Sequence, residues 1–170
     1  MSGAEVLRTE RLVLRELTQD DAPFILELLT SRGFVEGIGD RGVRTLDAAR
    51  GYIEDRIVAS YREHGFGMWL ATPVNEAAPV GLVGLVKRDE LEDVDIGYAL
   101  LERAWGRGYA QEAASAVLQH ARERLGLARI VAIANPDNAT SRKVLERIGL
   151  RFVEVVQFPG WEKPSAYFTT

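Results

Sequence analysis

The recurrence of apolar and polar residues along the chain predicts an alternation of strands and helices. Residues 10–17 (ERLVLREL) alternate polar and apolar side chains, the two-residue repeat of a strand with one buried face. Thr18 then opens a helix: with Asp21 three positions on it can cap the free N–H groups of the first turn, and Ala22, Ile25, Leu28 and Leu29 form the buried stripe. Residues 31–44 (SRGFVEGIGDRGVR) contain Gly33, Gly37, Gly39 and Gly42 and follow neither period, so they are expected to form a mobile loop. A second helix is predicted over residues 45–64, where Leu46, Ala49, Ile53, Ile57 and Tyr61 recur at helical spacing before Gly65 supplies the stop.

A hairpin follows, with strands over residues 66–72 and 80–87 and a polar turn between them. Residues 94–101 (VDIGYALL) read as an apolar strand. The strongest helical period of the chain then runs over 108–125, through Ala110, Ala113, Ala114, Val117, Leu118, Ala121 and Leu125. Residues 129–134 (RIVAIA) form a short buried strand, 138–148 a helix ended by Gly149, and 152–157 with 165–169 a closing strand pair. Seven strands interspersed with four helices predict an α/β fold, a mixed sheet covered by helices on its faces. No repeat, low-complexity tract or linker divides the chain, so residues 1–170 are expected to form a single domain.

Composition narrows the function. Apolar residues at 46% and charged residues at 27% are globular averages. The absence of cysteine excludes disulfides and thiolate metal sites. Residues 1–9 contain no apolar run suited to a leader, and no stretch approaches the ~20 apolar residues of a membrane helix. The expectation is a cytoplasmic protein without a membrane partner. The 21 Lys and Arg are dispersed and the net charge is -4, so there is no basic stripe for nucleic acid. His64 and His120 have no ligand spacing to a third group, and no metal site is expected. Trp69, Trp105 and Trp161 are expected in the core or on pocket walls.

The candidate chemistry lies in the turn RAWGRGYA, residues 103–110, which joins the 94–101 strand to the longest amphipathic helix. Backbone N–H groups and the positive end of the helix dipole concentrate there, and anions bind at such places. Gly106 and Gly108 permit positive φ and remove the Cβ atoms that would hold a phosphate away; a tight strand-to-helix connection would use the same glycines. Two other phosphate-binding turns fit poorly. The G-x-G-x-x-G fingerprint of a nicotinamide-dinucleotide site would need Gly or Ala at position 111, which is Gln, and no acidic residue closes the next strand. No G-x-x-x-x-G-K-[ST] string is present either.

The string R-x-x-G-x-G followed by A resembles the acyl-CoA pyrophosphate loop of the GCN5-related N-acetyltransferase (GNAT) superfamily. The longer IGYALLERAWGRGYAQEA, residues 96–113, is similar to the branch that acetylates the N-terminal alanine or serine of ribosomal proteins. TERLVLRELTQDDA (9–22) and NPDNATSRKVLERIGLRFV (135–153) resemble that branch's opening strand and last helix, so the likeness spans nearly the whole chain. It implies the GNAT fold: a mixed, mostly antiparallel central sheet of six to seven strands, about four flanking helices and splayed central strands. It also implies acetyl-CoA as cofactor and direct transfer of its acetyl group to a primary amine in a ternary complex, with no covalent enzyme nucleophile.

Residue roles follow from the same likeness. The backbone of Tyr98, Ala99 and Leu100 would pair with the pantetheine arm as a surrogate strand, and Asn138 would hydrogen-bond that arm. The N–H groups of Arg103, Gly106, Arg107, Gly108, Tyr109 and Ala110 would hold the pyrophosphate, with the Arg107 side chain adding charge. Many relatives carry a tyrosine as proton donor seven positions after the matching asparagine, where this chain has Leu145. Ser141 is then the candidate donor to the departing thiolate and Tyr98 the second. Asp95 is the candidate base, acting on the amine through a water. The acceptor, a peptide N-terminus or a small-molecule amine, is expected between the 31–44 loop, the second helix and the last hairpin, with Glu36, Asp40 and Asp47 placed to hold a cation. The protein is expected as a monomer or homodimer. A catalytically silent acyl-CoA-binding sensor is the alternative, which the missing tyrosine keeps open.

Overall fold

The computed structural model describes residues 3–170; Met1 and Ser2, the start of the stretch read for a leader, lie outside them. Eight strands form one sheet: β1 (Glu5–Arg8), β2 (Leu12–Arg15), β3 (Met68–Pro73), β4 (Gly81–Val86), β5 (Asp95–Leu100), β6 (Val131–Ala134), β7 (Arg151–Val156) and β8 (Ser165–Thr169). They lie side by side in the order β1-β2-β3-β4-β5-β6-β8-β7, and every neighbouring pair except β5–β6 is antiparallel. The sheet therefore has one strand more than expected. β1 is short and half-exposed and lacks the apolar alternation that would announce it.

Six α-helices cover the faces: α1 (Ala22–Thr30), α2 (Arg32–Gly37), α3 (Leu46–Tyr52), α4 (Ala59–His64), α5 (Tyr109–Glu123) and α6 (Ala139–Arg147). On one face Ala113, Ala114, Val117, Leu118 and Ala121 of α5 pack on Leu12, Leu14, Trp69, Val83, Leu85 and Ile96. On the other, Ile25, Leu28 and Leu29 of α1 join Ala49, Ile53 and Ile57 over Leu70 and Leu82. Helices thus cover both faces of the sheet, each burying its apolar stripe against one side.

Two expected elements differ in detail. The 45–64 helix is capped by Thr45 and ended by Gly65 at φ +78, but its middle, Ile53–Val58, is π-helical. Side chains four apart drift by about 40° per step on an α-helix of 100° per residue. The wider π turn returns Ile53, Ile57 and Tyr61 toward one line, while Leu46 stays 42% exposed. The 31–44 segment is partly ordered as α2, with Ser31 accepting from the Phe34 amide and Phe34 buried. One buried side chain among two glycines leaves no period to read.

β5 and β6 set up the site. They share a single aligned pair, Asp95 with Val131, and the Val131 amide donates to the Val94 carbonyl at 3.0 Å. Beyond it β5 remains paired with β4 as far as Leu100 opposite Gly81, and β6 follows β8 from Val131 to Ala134. Gly81 helps β4 hold β5, because a Cβ there would lie 2.3 Å from the Ala99 carbonyl oxygen. The two parallel strands part toward their C-terminal ends, and the facing edges carry backbone groups with no ladder between them.

Candidate active site

The turn after β5 stands at the open end of this wedge. A 3-10 turn, Glu102–Ala104, leads through Trp105 to Gly106 at φ +75 and Gly108 at φ +78, and Gly108 is the N-cap of α5. A Cβ at Gly106 would meet nothing within 4 Å, so the constraint at that glycine is the positive φ rather than space. The first bond of the helix is from the Glu112 amide to the Gly108 carbonyl at 3.1 Å. Among the described residues the amides of Gly106 to Gln111 donate to no protein acceptor, so a row of N–H groups is left for an anion at the positive end of a 15-residue helix.

The side chains of the turn point elsewhere. Arg103 donates from Nη2 to the Pro79 carbonyl at 2.7 Å, which ties the turn to the β3–β4 connection. Arg107 places Nη1 3.9 Å from Glu76 Oε1, an exposed and loose contact. Trp105 is 55% exposed and donates from its indole to the Leu100 carbonyl at 2.9 Å.

Across the wedge two of the expected catalytic residues meet. Tyr98 Oη lies 2.8 Å from Ser141 Oγ and 3.1 Å from the Ser141 carbonyl oxygen. Burial pushes the Tyr98 phenol above its ordinary pKa, against a smaller downward pull from Ser141. Asn138 caps α6: its Oδ1 accepts from the Ser141 amide at 3.0 Å and so fixes the first turn that carries Ser141. Leu145, where many relatives have tyrosine, is 1% exposed and packed in the core.

Asp95 is not brought to this pair. Strand alternation puts it on the other sheet face, where it is 1% exposed and its two oxygens lie 3.2 and 3.3 Å from Arg88 Nε. Burial pushes its carboxyl up to about 6, with Arg88 and Lys87 pulling the other way. The guanidinium of Arg88 in turn lies 5.9 Å from the Trp161 ring centre.

A cleft of about 410 Å³ opens between the ends of β5 and β6, walled by Gly33 and Glu36 of α2, Glu102, Trp105, Asp137 and Asn138. Of the three carboxylates expected to hold a cation, each is paired with an arginine: Glu36 with Arg32, Asp40 with Arg44 and Asp47 with Arg50. Glu102 and Asp137, which the sequence did not single out, line the cleft beside the Arg32–Glu36 pair, and Arg32 is close enough to feel the charge of Glu102. The sequence reading also missed Arg11 and Glu112, which bond to each other at the start of α5. Nothing in a local pattern could join positions about a hundred residues apart. No group of three or more potential metal ligands occurs among the described residues, and none of the described helices is long and apolar enough to cross a membrane.

Comparison with known proteins agrees with this geometry. The chain is 32% identical over 108 residues to YkkB of Bacillus subtilis, an alignment that covers 62% of this chain and 61% of that protein. An acetyltransferase structure from Agrobacterium tumefaciens strain C58 superposes with a TM-score of 0.81 at 29% identity, over 96% of this chain and 92% of that one. The fold is also that of RimL, a ribosomal L7/L12 alpha-N-protein acetyltransferase in complex with coenzyme A, with a TM-score of 0.82 at 18% identity over 98% and 97% of the two chains. The family model of the acetyltransferase (GNAT) domain matches residues 11–151. With that match, an eight-stranded, mostly antiparallel sheet parted beside a glycine turn, the chain belongs to the GNAT family of acetyl-CoA-dependent acetyltransferases.

Proposed function

We propose that this protein transfers the acetyl group of acetyl-CoA directly to a primary amine within a ternary complex. The observation that carries the reading is the hydrogen-bonded Tyr98–Ser141 pair at the mouth of the wedge, beside a helix start whose amides are free. In this reading the amides of the 103–110 turn hold the pyrophosphate, and the free edge of β5 at Tyr98, Ala99 and Leu100 pairs with the pantetheine arm. The amide nitrogen of Asn138 is free to donate to that arm, since only its oxygen caps the helix.

The amine nitrogen attacks the thioester carbonyl carbon; a C–N bond forms, the C–S bond breaks, and the thiolate needs a proton. A phenol at its ordinary pKa of about 10 is already neutral at working pH and burial raises that of Tyr98 further, so it holds a proton to give. Ser141 lies within hydrogen-bond distance and can pass a proton on or restore it. The acceptor enters by the cleft, where among the described lining residues the carboxylates Glu36, Glu102 and Asp137 outnumber the one cation, Arg32, and so favour an ammonium that sheds its proton before attack. The amine is a peptide N-terminus or a small molecule; RimL's action on a protein N-terminus supports including the former. Asp95, buried against Arg88, serves in this reading as a pin at the point where β5 and β6 part rather than as the base.

The test is release of free CoA from acetyl-CoA with a panel of N-terminal peptides, polyamines and amino acids. Tyr98→Phe should lower kcat about a hundredfold, the typical share of one general acid, and leave the KM for acetyl-CoA nearly unchanged. Ser141→Ala combined with it should add little, because the two hydroxyls act as a unit. An unaltered kcat in Tyr98→Phe would remove the pair from the mechanism. Binding of acetyl-CoA without turnover of any acceptor would make the protein an acyl-CoA sensor.

A further inference from the structure

Thr9 to Arg11 lead into β2, yet their side chains converge on the start of α5. Arg11 Nε donates to Glu112 Oε1 at 2.6 Å and its own amide to Glu112 Oε2 at 2.9 Å, while Thr9 Oγ1 donates to the same Oε2 at 2.5 Å. Arg11 Nη1 donates to the carbonyl oxygen of Arg107 at 2.8 Å, and the guanidinium lies 4.7 Å from the Tyr109 ring centre. Nη2 lies 3.3 Å from the place a Cβ on Gly108 would occupy. Two arms of one planar fork thus bridge the first turn of the helix and the turn before it, which a lysine cannot do with a single nitrogen.

The consequence falls on the peptide between Arg107 and Gly108. In a trans peptide the C=O and the next N–H share a plane and point opposite ways, and the described chain has no cis peptide. Drawing the Arg107 carbonyl toward Arg11 therefore turns the Gly108 N–H to the opposite side, among the free amides of the turn. We propose that Arg11 is a positioning residue of the phosphate-binding turn: it aims the Gly108 N–H and thereby sets the affinity for the pyrophosphate half of coenzyme A. This rests on the turn's assignment to the pyrophosphate above. Without the Arg11 side chain Glu112 still accepts from the Thr9 hydroxyl and from the amide of residue 11, so the fold keeps its tie at this point and the effect of removal falls on binding.

The experiment is calorimetric titration of the full chain and of Arg11→Met and Arg11→Lys with CoA and, separately, with pantetheine, which lacks the phosphates. The unsubstituted protein should bind CoA more tightly than pantetheine. Arg11→Met should weaken CoA roughly tenfold, the cost of one misdirected charge-assisted hydrogen bond, and leave pantetheine unchanged. Arg11→Lys should recover little, since charge is retained and the fork is not. Unchanged CoA affinity in Arg11→Met, an equal loss for both ligands, or full recovery with lysine would overturn the role. Equal affinity of the unsubstituted protein for CoA and pantetheine would instead remove the pyrophosphate assignment itself, and Arg11's role with it.

Discussion

Replacing Asp95 with asparagine isolates the ionisation of one buried carboxyl. Around it stand Arg88 Nε on both oxygens, the positive charge of Lys87, and the strand neighbours Val86 and Val131. Desolvation is the largest influence and raises the pKa from 3.8 to about 6. A carboxyl raised in this way binds its proton more tightly in the folded protein than in the unfolded chain. Its contribution to stability is fully present below the ordinary value and lost as pH rises through about 6. Applying the two values to the linkage relation, stability should fall by about 1.4 kcal/mol on this account between about pH 5 and about pH 7.5. Asparagine nearly matches the shape and keeps an oxygen for Arg88, yet has no proton to lose. Urea unfolding of both proteins at the two pH values reads the effect as a difference of differences. Every other contribution to the pH dependence is common to both and cancels. Parallel pH dependence in the two proteins would refute the reasoning, and a stability that rose with pH in the native protein relative to the variant would show that Arg88 outweighs burial.

Two further substitutions test the site and the core beneath it. Gly108→Glu should abolish CoA binding in calorimetry, because a Cβ there would press on Arg11 Nη2 at 3.3 Å and the positive φ adds about 1–2 kcal/mol of strain, both of which distort the turn that presents the free amides. Leu145→Ala should cost about 2–5 kcal/mol in denaturant unfolding, the range for a truncated buried leucine, since Leu145 is 1% exposed; a loss below about 1 kcal/mol would mean that α6 is not anchored there.

Much of this protein can be read along its chain, because a local period directly records which face of an element is buried. Alternation over Leu12 and Leu14, the α5 stripe from Ala113 to Ala121 and the stop at Gly65 each stand in the structure where the pattern puts them. The glycine turn was legible for the same reason: positive φ at Gly106 and Gly108 is a local demand with a local sequence mark. Elements that bury little, such as β1 and α2, left no period, and the π turn at Ile53–Val58 answers to a line of side chains meeting the sheet. The site itself needed three dimensions. Tyr98 and Ser141 are 43 positions apart and Arg11 and Glu112 are 101, and only the parting of β5 from β6 and the return of β2 beneath α5 make them neighbours. Asp95 shows the limit most plainly: alternation assigned its face, but its burial and its partner Arg88 depend on what the rest of the chain packs against that face. Spacing encodes the angle of a side chain about its own element, whereas distance, burial and charge environment belong to pairs of elements and arise only when they pack.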